Sequence, residues 1–246
     1  TVPFMRWSDP LPVRRVRRAS DASLDPDQWP MTLAPVRQLL QEGLDLGRIT
    51  VLVGENGTGK STLVEAIAMA FGLPAEGGST GAMHRTYASE SALHDDLTLE
   101  RGAGASKWGY FLRAETTHGL FTYLANNPGP RDPDFHRMSH GESFLAMLGS
   151  GRFRGDGFFV MDEPEAGLSF SAQLALVGTL HALAQHRSAQ VLMATHSPVL
   201  AAIPGATILE LDHEGLHPRD WSDLDVVDNY RRFLATPGQY LRHVID

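Results

Sequence analysis

Cysteine is missing from all 246 residues, so neither a disulfide nor a thiolate-bound metal can form. The absence fits a reducing compartment, and the expected location is the cytoplasm. Basic charge is scarce. There are 21 Lys and Arg against 29 Asp and Glu, a formal net charge of −8. A protein that grips nucleic acid mainly by charge shows the opposite balance, so the composition argues against that as the main activity. Long apolar runs are lacking too. No stretch approaches a membrane span, and no charged start followed by an apolar run reads as a signal peptide, so direct membrane insertion is not expected. No internal repeat is visible. The chain opens on Thr1, as after removal of an initiator or tag. What the chain does have is an apolar fraction of 42%, enough for a sizeable core in one large domain or two small ones.

The order of elements points to a parallel α/β sheet. Residues 1–34 mix short apolar pieces, prolines and the stretch "VRRVRR", and read as edge strands and loops. "PVRQLLQEG" (35–43) reads as a short helix, with Pro in its first turn and Gly at its end. "RITVLVG" (48–54) reads as a buried strand, and "GKSTLVEAIAMAF" (59–71) as the helix after it. Residues 72–107 are polar and Gly-rich with weak periodicity. "WGYFLRAE", residues 158–161, "QVLMATHS" and "ATILELD" read as further strands; "GESFLAMLGS" and residues 169–186 read as helices. From 223, the spacing puts Val226, Val227, Tyr230, Phe233 and Leu234 on one helical face. Continuous apolar strands alternating with helices make a mostly parallel sheet. The expected fold is one α/β domain over 1–246. It has a P-loop sheet, an N-terminal antiparallel edge, and a variable loop and small helical subdomain inserted over 72–150.

"GENGTGKS" carries the first chemistry. Gly54, Glu55, Asn56, Gly57, Thr58, Gly59, Lys60 and Ser61 match G-x-x-x-x-G-K-[ST] at every fixed position, with Thr62 next. The motif lies between a strand and a helix, as its mechanism requires. The glycines turn backbone N–H groups inward around phosphate oxygens, and the positive end of the helix faces the same anion. Lys60 can reach the β- and γ-phosphates, and the Ser61 hydroxyl can bind Mg2+. "FFVMDEPEAGLS" (158–169) carries the second. Its four leading apolar residues form a strand that ends in two acids. A bound Mg-nucleotide needs a carboxylate near the metal, which suits Asp162. Attack on the γ-phosphate needs a group that orients or deprotonates water, which suits Glu163.

Three further stretches resemble the ABC-type ATPase heads, in the style of the soluble SMC-like and RecF-like heads and small stand-alone ATPases related to them. "MSHGES" (138–143) resembles the signature Leu-Ser-Gly-Gly-Gln, with Ser139, Gly141 and Glu142 in matching places and His140 where a glycine is usual. "EPEAGLS" resembles the loop that follows the acid pair, and "ATHSP" puts His196 in the place of the switch histidine. The resemblance covers residues 48–212. It implies an ATPase that closes head to tail as an ATP-dependent homodimer. Ser139, His140, Gly141 and Glu142 of one copy would then face the P-loop of the other. It implies ATP and Mg2+ as cofactors, catalytic roles for Lys60, Glu163 and His196, and a separate protein partner. The family has a glutamine after its second strand; "FLRAET" offers Glu115, or Arg113, instead. For the adenine platform Trp29, Phe4 and Trp7 are candidates, with plain packing as the alternative. About 78 residues separate Lys60 from Ser139, without the sustained heptads of a coiled coil.

Two stretches invite other readings. "HEGLH" (213–217) has the letters of a zinc protease, but Gly215 inside it and Pro218 after it make a turn or hairpin, not the helix that zinc binding needs. "RRVRR" (14–18) could touch a nucleic-acid backbone; the plainer reading is an exposed edge strand whose charges discourage aggregation.

Overall fold

The computed structural model describes residues 9–23, 25–80, 91–113, 146 and 155–245. The expectations on Phe4, Trp7, Glu115, Ser139, His140, Gly141 and Glu142, and nearly all of the 141–150 helix, lie outside these residues.

Ten strands are described: β1 (Arg15–Arg18), β2 (Leu44–Asp45), β3 (Ile49–Gly54), β4 (Gly78–Ser79), β5 (Leu97–Glu100), β6 (Gly109–Arg113), β7 (Gly157–Asp162), β8 (Ala189–Thr195), β9 (Thr207–Leu211) and β10 (Leu216–Pro218). The helices are α1 (Ala34–Glu42), α2 (Lys60–Phe71), α3 (Phe170–Leu183), α4 (Pro198–Ala201), α5 (Asp225–Ala235) and α6 (Pro237–Ile245). The main sheet has seven strands in the order β10-β9-β3-β8-β7-β6-β4. Its five central strands run parallel, and β10 and β4 close the two edges antiparallel. The fold is therefore α/β with a mostly parallel sheet, as the alternation of apolar strands and helices implies.

The apolar runs are buried on both faces. Val51, Val53, Phe159 and Met161 pack on one side against α3, α4 and the start of α5. Leu52, Phe158 and Val160 pack on the other against α1 and α2. The alternation within each strand is the period of two that puts neighbouring side chains on opposite faces. Phe159 is fully buried, and its ring meets Trp108 edge-on at 5.5 Å between centroids. Phe159→Ala is expected to lower unfolding stability by about 3–5 kcal/mol, a large share of a typical domain's total. Chemical denaturation checks this; a loss below about 1 kcal/mol would contradict the packing.

A second, three-stranded antiparallel sheet has the order β2-β1-β5. Here the structure corrects one expectation: the arginine stretch is the central strand of this sheet, not an edge. The partner that places it there, β5, lies in the polar region where no strand is evident from pattern. The arginines are matched by acids and carbonyls. Arg15 bonds Asp45 at 2.7 Å and also reaches the Glu42 carbonyl, while Arg17 meets Glu100 at 3.0 Å. The fully buried amide of Gln190 ties this layer to the main sheet. It accepts from the Val13 N–H at 2.8 Å and donates to the Val13 and Gly47 carbonyls at 2.6 and 2.9 Å.

"HEGLH" falls at the β9–β10 hairpin. The Asp212 carboxylate accepts from the N–H groups of Glu214 and Gly215 at 2.7 and 3.0 Å and lies 3.1 Å from His217 Nε2. That is a turn held by its first residue, and it keeps the two histidines off any common helix. Helix α5 forms where the spacing puts it, but the predicted face is only partly covered. Val227 is buried, whereas Tyr230, Phe233 and Leu234 are exposed.

Candidate active site

The parallel strands end on one side of the sheet. Val53 stands opposite Thr195, Asp162 opposite Ala194, and Arg113 opposite Asp162. Residues from four separate strand ends therefore meet outside the carboxyl edge, where open α/β sheets place their ligands.

The Gly-rich loop joins β3 to α2 at that edge. Gly54, Gly57 and Gly59 all have positive φ, at 154°, 80° and 97°. At Gly54 the requirement is also steric, because a Cβ would overlap the Leu211 carbonyl oxygen of the neighbouring strand. Gly59 is the N-cap of α2 in the left-handed conformation, with no side chain capping it. The first N–H groups of α2 thus point outward with the positive end of the helix behind them. Lys60 is almost fully buried, and its ammonium donates to the Glu55 carbonyl at 2.7 Å. Burial pushes its pKa below the ordinary value, although Glu163, Asp162, Glu165 and Glu55 pull the other way.

The acid pair faces this loop. Ser61 Oγ donates to Asp162 Oδ1 at 3.0 Å, so two hard oxygen ligands of the kind Mg2+ takes lie side by side. The donor set fits the metal. Glu163 lines the same pocket of about 180 Å3 as Asn56, Gly57, Gly59, Lys60, Ser61 and Thr62. Its φ is +50°, the one left-handed residue other than glycine among the described residues. A side chain there costs about 1–2 kcal/mol, and such strain gathers at functional positions. Glu163 Oε1 lies 3.1 Å from His196 Nε2. The structure therefore brings together Lys60, Ser61, Asp162, Glu163 and His196, which lie up to 136 residues apart in the chain.

Four neighbours complete the geometry. Trp29 and Leu33 line the pocket beside the P-loop. Glu165 Oε1 accepts from the His196 backbone N–H at 2.6 Å and so anchors the histidine from below. Glu165 carries no separate signal in the sequence beyond lying two residues after Glu163. Arg113, at the end of β6, reaches both Glu65 and Asp162. A wider, mostly apolar groove of about 900 Å3 lies between α3, α4 and α5, and Glu165 and His196 are among the residues that line it.

Two family models match the chain. One, described as "AAA domain, putative AbiEii toxin, Type IV TA system", covers residues 134–202; the other, described as "AAA domain", covers residues 36–117. Between them they hold the Gly-rich loop, the acid pair and His196. The zinc import ATP-binding protein ZnuC of Vibrio cholerae is 29% identical over 69% of this chain and 65% of its own length. The chain thus spans about two thirds of that relative. An uncharacterized ABC transporter ATP-binding protein of Haemophilus influenzae is 23% identical over 83% of this chain and 85% of that protein. The SMC head domain of Thermotoga maritima aligns with 72% of this chain and 93% of its own, with 16% identity and a TM-score of 0.42. With its Gly-rich cradle opposite Asp162 and the two family models over both halves of the site, the chain is similar to AAA/ABC-type P-loop ATPase domains.

Proposed function

We propose that this chain binds Mg-ATP between Gly54 and Thr62 and hydrolyses it at the interface of two copies packed head to tail, driving a separate protein partner. The observation that carries the reading is the contact of Ser61 with Asp162 at 3.0 Å, with Lys60 and Glu163 on one pocket beside it. Lys60 holds the β- and γ-phosphates. Ser61 and Asp162 hold the metal, with Glu115 as a further candidate ligand, and bound Mg2+ supplies charge neutralisation at the phosphate oxygens. Glu163 takes the proton from the attacking water, and His196 orients that water or the γ-phosphate. Glu163 and His196 share a hydrogen bond, so moving one moves the other. Ser139, His140, Gly141 and Glu142 of the second copy complete the site, with Ser139 and the Gly141 N–H as donors to the γ-phosphate.

This reading has a direct kinetic consequence. Phosphate release per chain should rise with protein concentration until the dimer saturates, because half of each site comes from a second copy. A per-chain rate independent of concentration, in a sample shown to be monomeric, would remove the dimer from the mechanism.

A second reading, the ATP-binding subunit of a transporter, is favoured by the names of the relatives above. Among the described residues no helix is long and apolar enough to cross a membrane. Action on nucleic acid is disfavoured by the ion pairs that occupy Arg15 and Arg17. The proposed setting is the cytoplasm, where ATP is supplied.

A further inference from the structure

The Asp162 carboxylate is approached from two sides. Oδ1 accepts from Ser61, on the side of the phosphate pocket. Oδ2 lies 3.7 Å from Arg113 Nε, too long for a good hydrogen bond but within ion-pair range. The guanidinium is fixed on its other side. Arg113 Nη1 donates to Glu65 Oε2 at 2.6 Å and to the Ala75 carbonyl at 3.2 Å. Glu65 sits one helical turn beyond Ser61 on α2, and Arg113 stands opposite Asp162 in the β6–β7 pairing. The side chains of Arg113, Glu65 and Asp162 are 18%, 15% and 8% exposed, so all three charges are largely withdrawn from water.

From this arrangement we infer that Arg113 is a positioning residue for the metal carboxylate. It draws Oδ2 of Asp162 away from the pocket and leaves Oδ1 facing the metal position beside Ser61. The planar fork matters, because one group must serve Glu65, Ala75 and Asp162 from fixed directions. The partner acid matters as well. A lone guanidinium beside a metal site would repel the cation, and Glu65 offsets that charge. The arrangement also links α2, β6 and β7 through one side chain, so the P-loop helix and the acidic strand share a common reference point. The inference rests on the Mg-ATP reading proposed above.

The test is a Mg2+ titration of ATP binding, followed with a fluorescent ATP analogue, with a parallel measurement in EDTA. Arg113→Met alone would take from the largely buried Glu65 its 2.6 Å bond to the guanidinium, which threatens folding. The double variant Arg113→Met/Glu65→Gln removes both charges and keeps the local net charge. It is expected to need about 10- to 100-fold more Mg2+ for half-maximal enhancement of binding, as loss of an outer partner of a metal ligand usually costs. Binding in EDTA should stay within about twofold of wild type, because the P-loop and Lys60 are intact. Arg113→Lys, which keeps the charge but not the fork, should fall between the two. An unchanged or lowered Mg2+ requirement in the folded double variant would overturn the inference. So would parallel losses with and without metal, which would mark a purely structural role. Wild-type protein that shows no Mg2+-dependent ATP binding would instead overturn the Mg-ATP reading, and this inference with it.

Discussion

Glu163→Gln is expected to bind Mg-ATP, hydrolyse it about 10²- to 10⁴-fold more slowly than wild type, and accumulate as a dimer. The expectation follows from the position of the side chain. Glu163 lines the phosphate pocket, and its carboxylate is held by His196 at 3.1 Å. Glutamine has the same shape and its oxygen can still accept from the histidine, so the pocket should keep its form. It cannot take a proton from water. If ATP favours the closed pair through its greater affinity for that state, blocking hydrolysis leaves the pair closed. Light scattering reads the outcome. The chain mass is 26.9 kDa, and Mg-ATP should shift the variant to twice that value. A monomer mass with nucleotide shown to be bound would sink the homodimer. Unchanged hydrolysis would remove Glu163 from its role as base and leave the strain at its φ of +50° in need of another reason.

The sequence shows the centre of this fold better than its rim. Strands β3, β7 and β8 are continuous apolar runs because both of their faces are covered, and such runs are hard to miss. The Gly-rich loop and acid pair follow them directly, so the phosphate pocket is legible as two short motifs. Strand β5 is not legible in the same way. Its four residues, "LTLE", take strand form by pairing with β1, some 80 residues earlier, and no local period marks them. The same holds for Arg113. Its position near "FLRAET" draws notice, but the partner Glu65 lies on α2, and their meeting depends on the order of strands in the sheet. Glu165 is hidden for a further reason. Its contact is with a backbone N–H at residue 196, and a backbone acceptor or donor leaves no mark on residue type. The exposed face of α5 shows the reverse limit, since the helical spacing of Tyr230, Phe233 and Leu234 is plain while their exposure depends on what stands opposite.

Lys60→Met is expected to lose about 10- to 100-fold in ATP affinity and yet be at least as stable as wild type without nucleotide. Two effects compete at this side chain. Burial disfavours its charge, while Glu163, Asp162, Glu165 and Glu55 favour it. Burial is the larger, since the pKa lies below the ordinary 10.5, so the fold as a whole holds this cation at a cost. Methionine has a similar length, brings no charge, and gives up the bond to the Glu55 carbonyl together with the attraction of those four acids, which the relief of burial outweighs. The sign with pH can be worked out. Below the lowered pKa, folded and unfolded chains both hold the proton and the penalty is present in full. As pH rises through that value toward 10.5, the folded chain sheds the proton first and the penalty fades. Wild type should therefore gain on Lys60→Met in alkaline buffer and trail it most at neutral pH. Thermal melting of both proteins across that range measures the gap. A variant that melts well below wild type at neutral pH would mean that the acids around Lys60 need its charge more than burial opposes it. The P-loop lysine would then support the empty fold as well as the nucleotide.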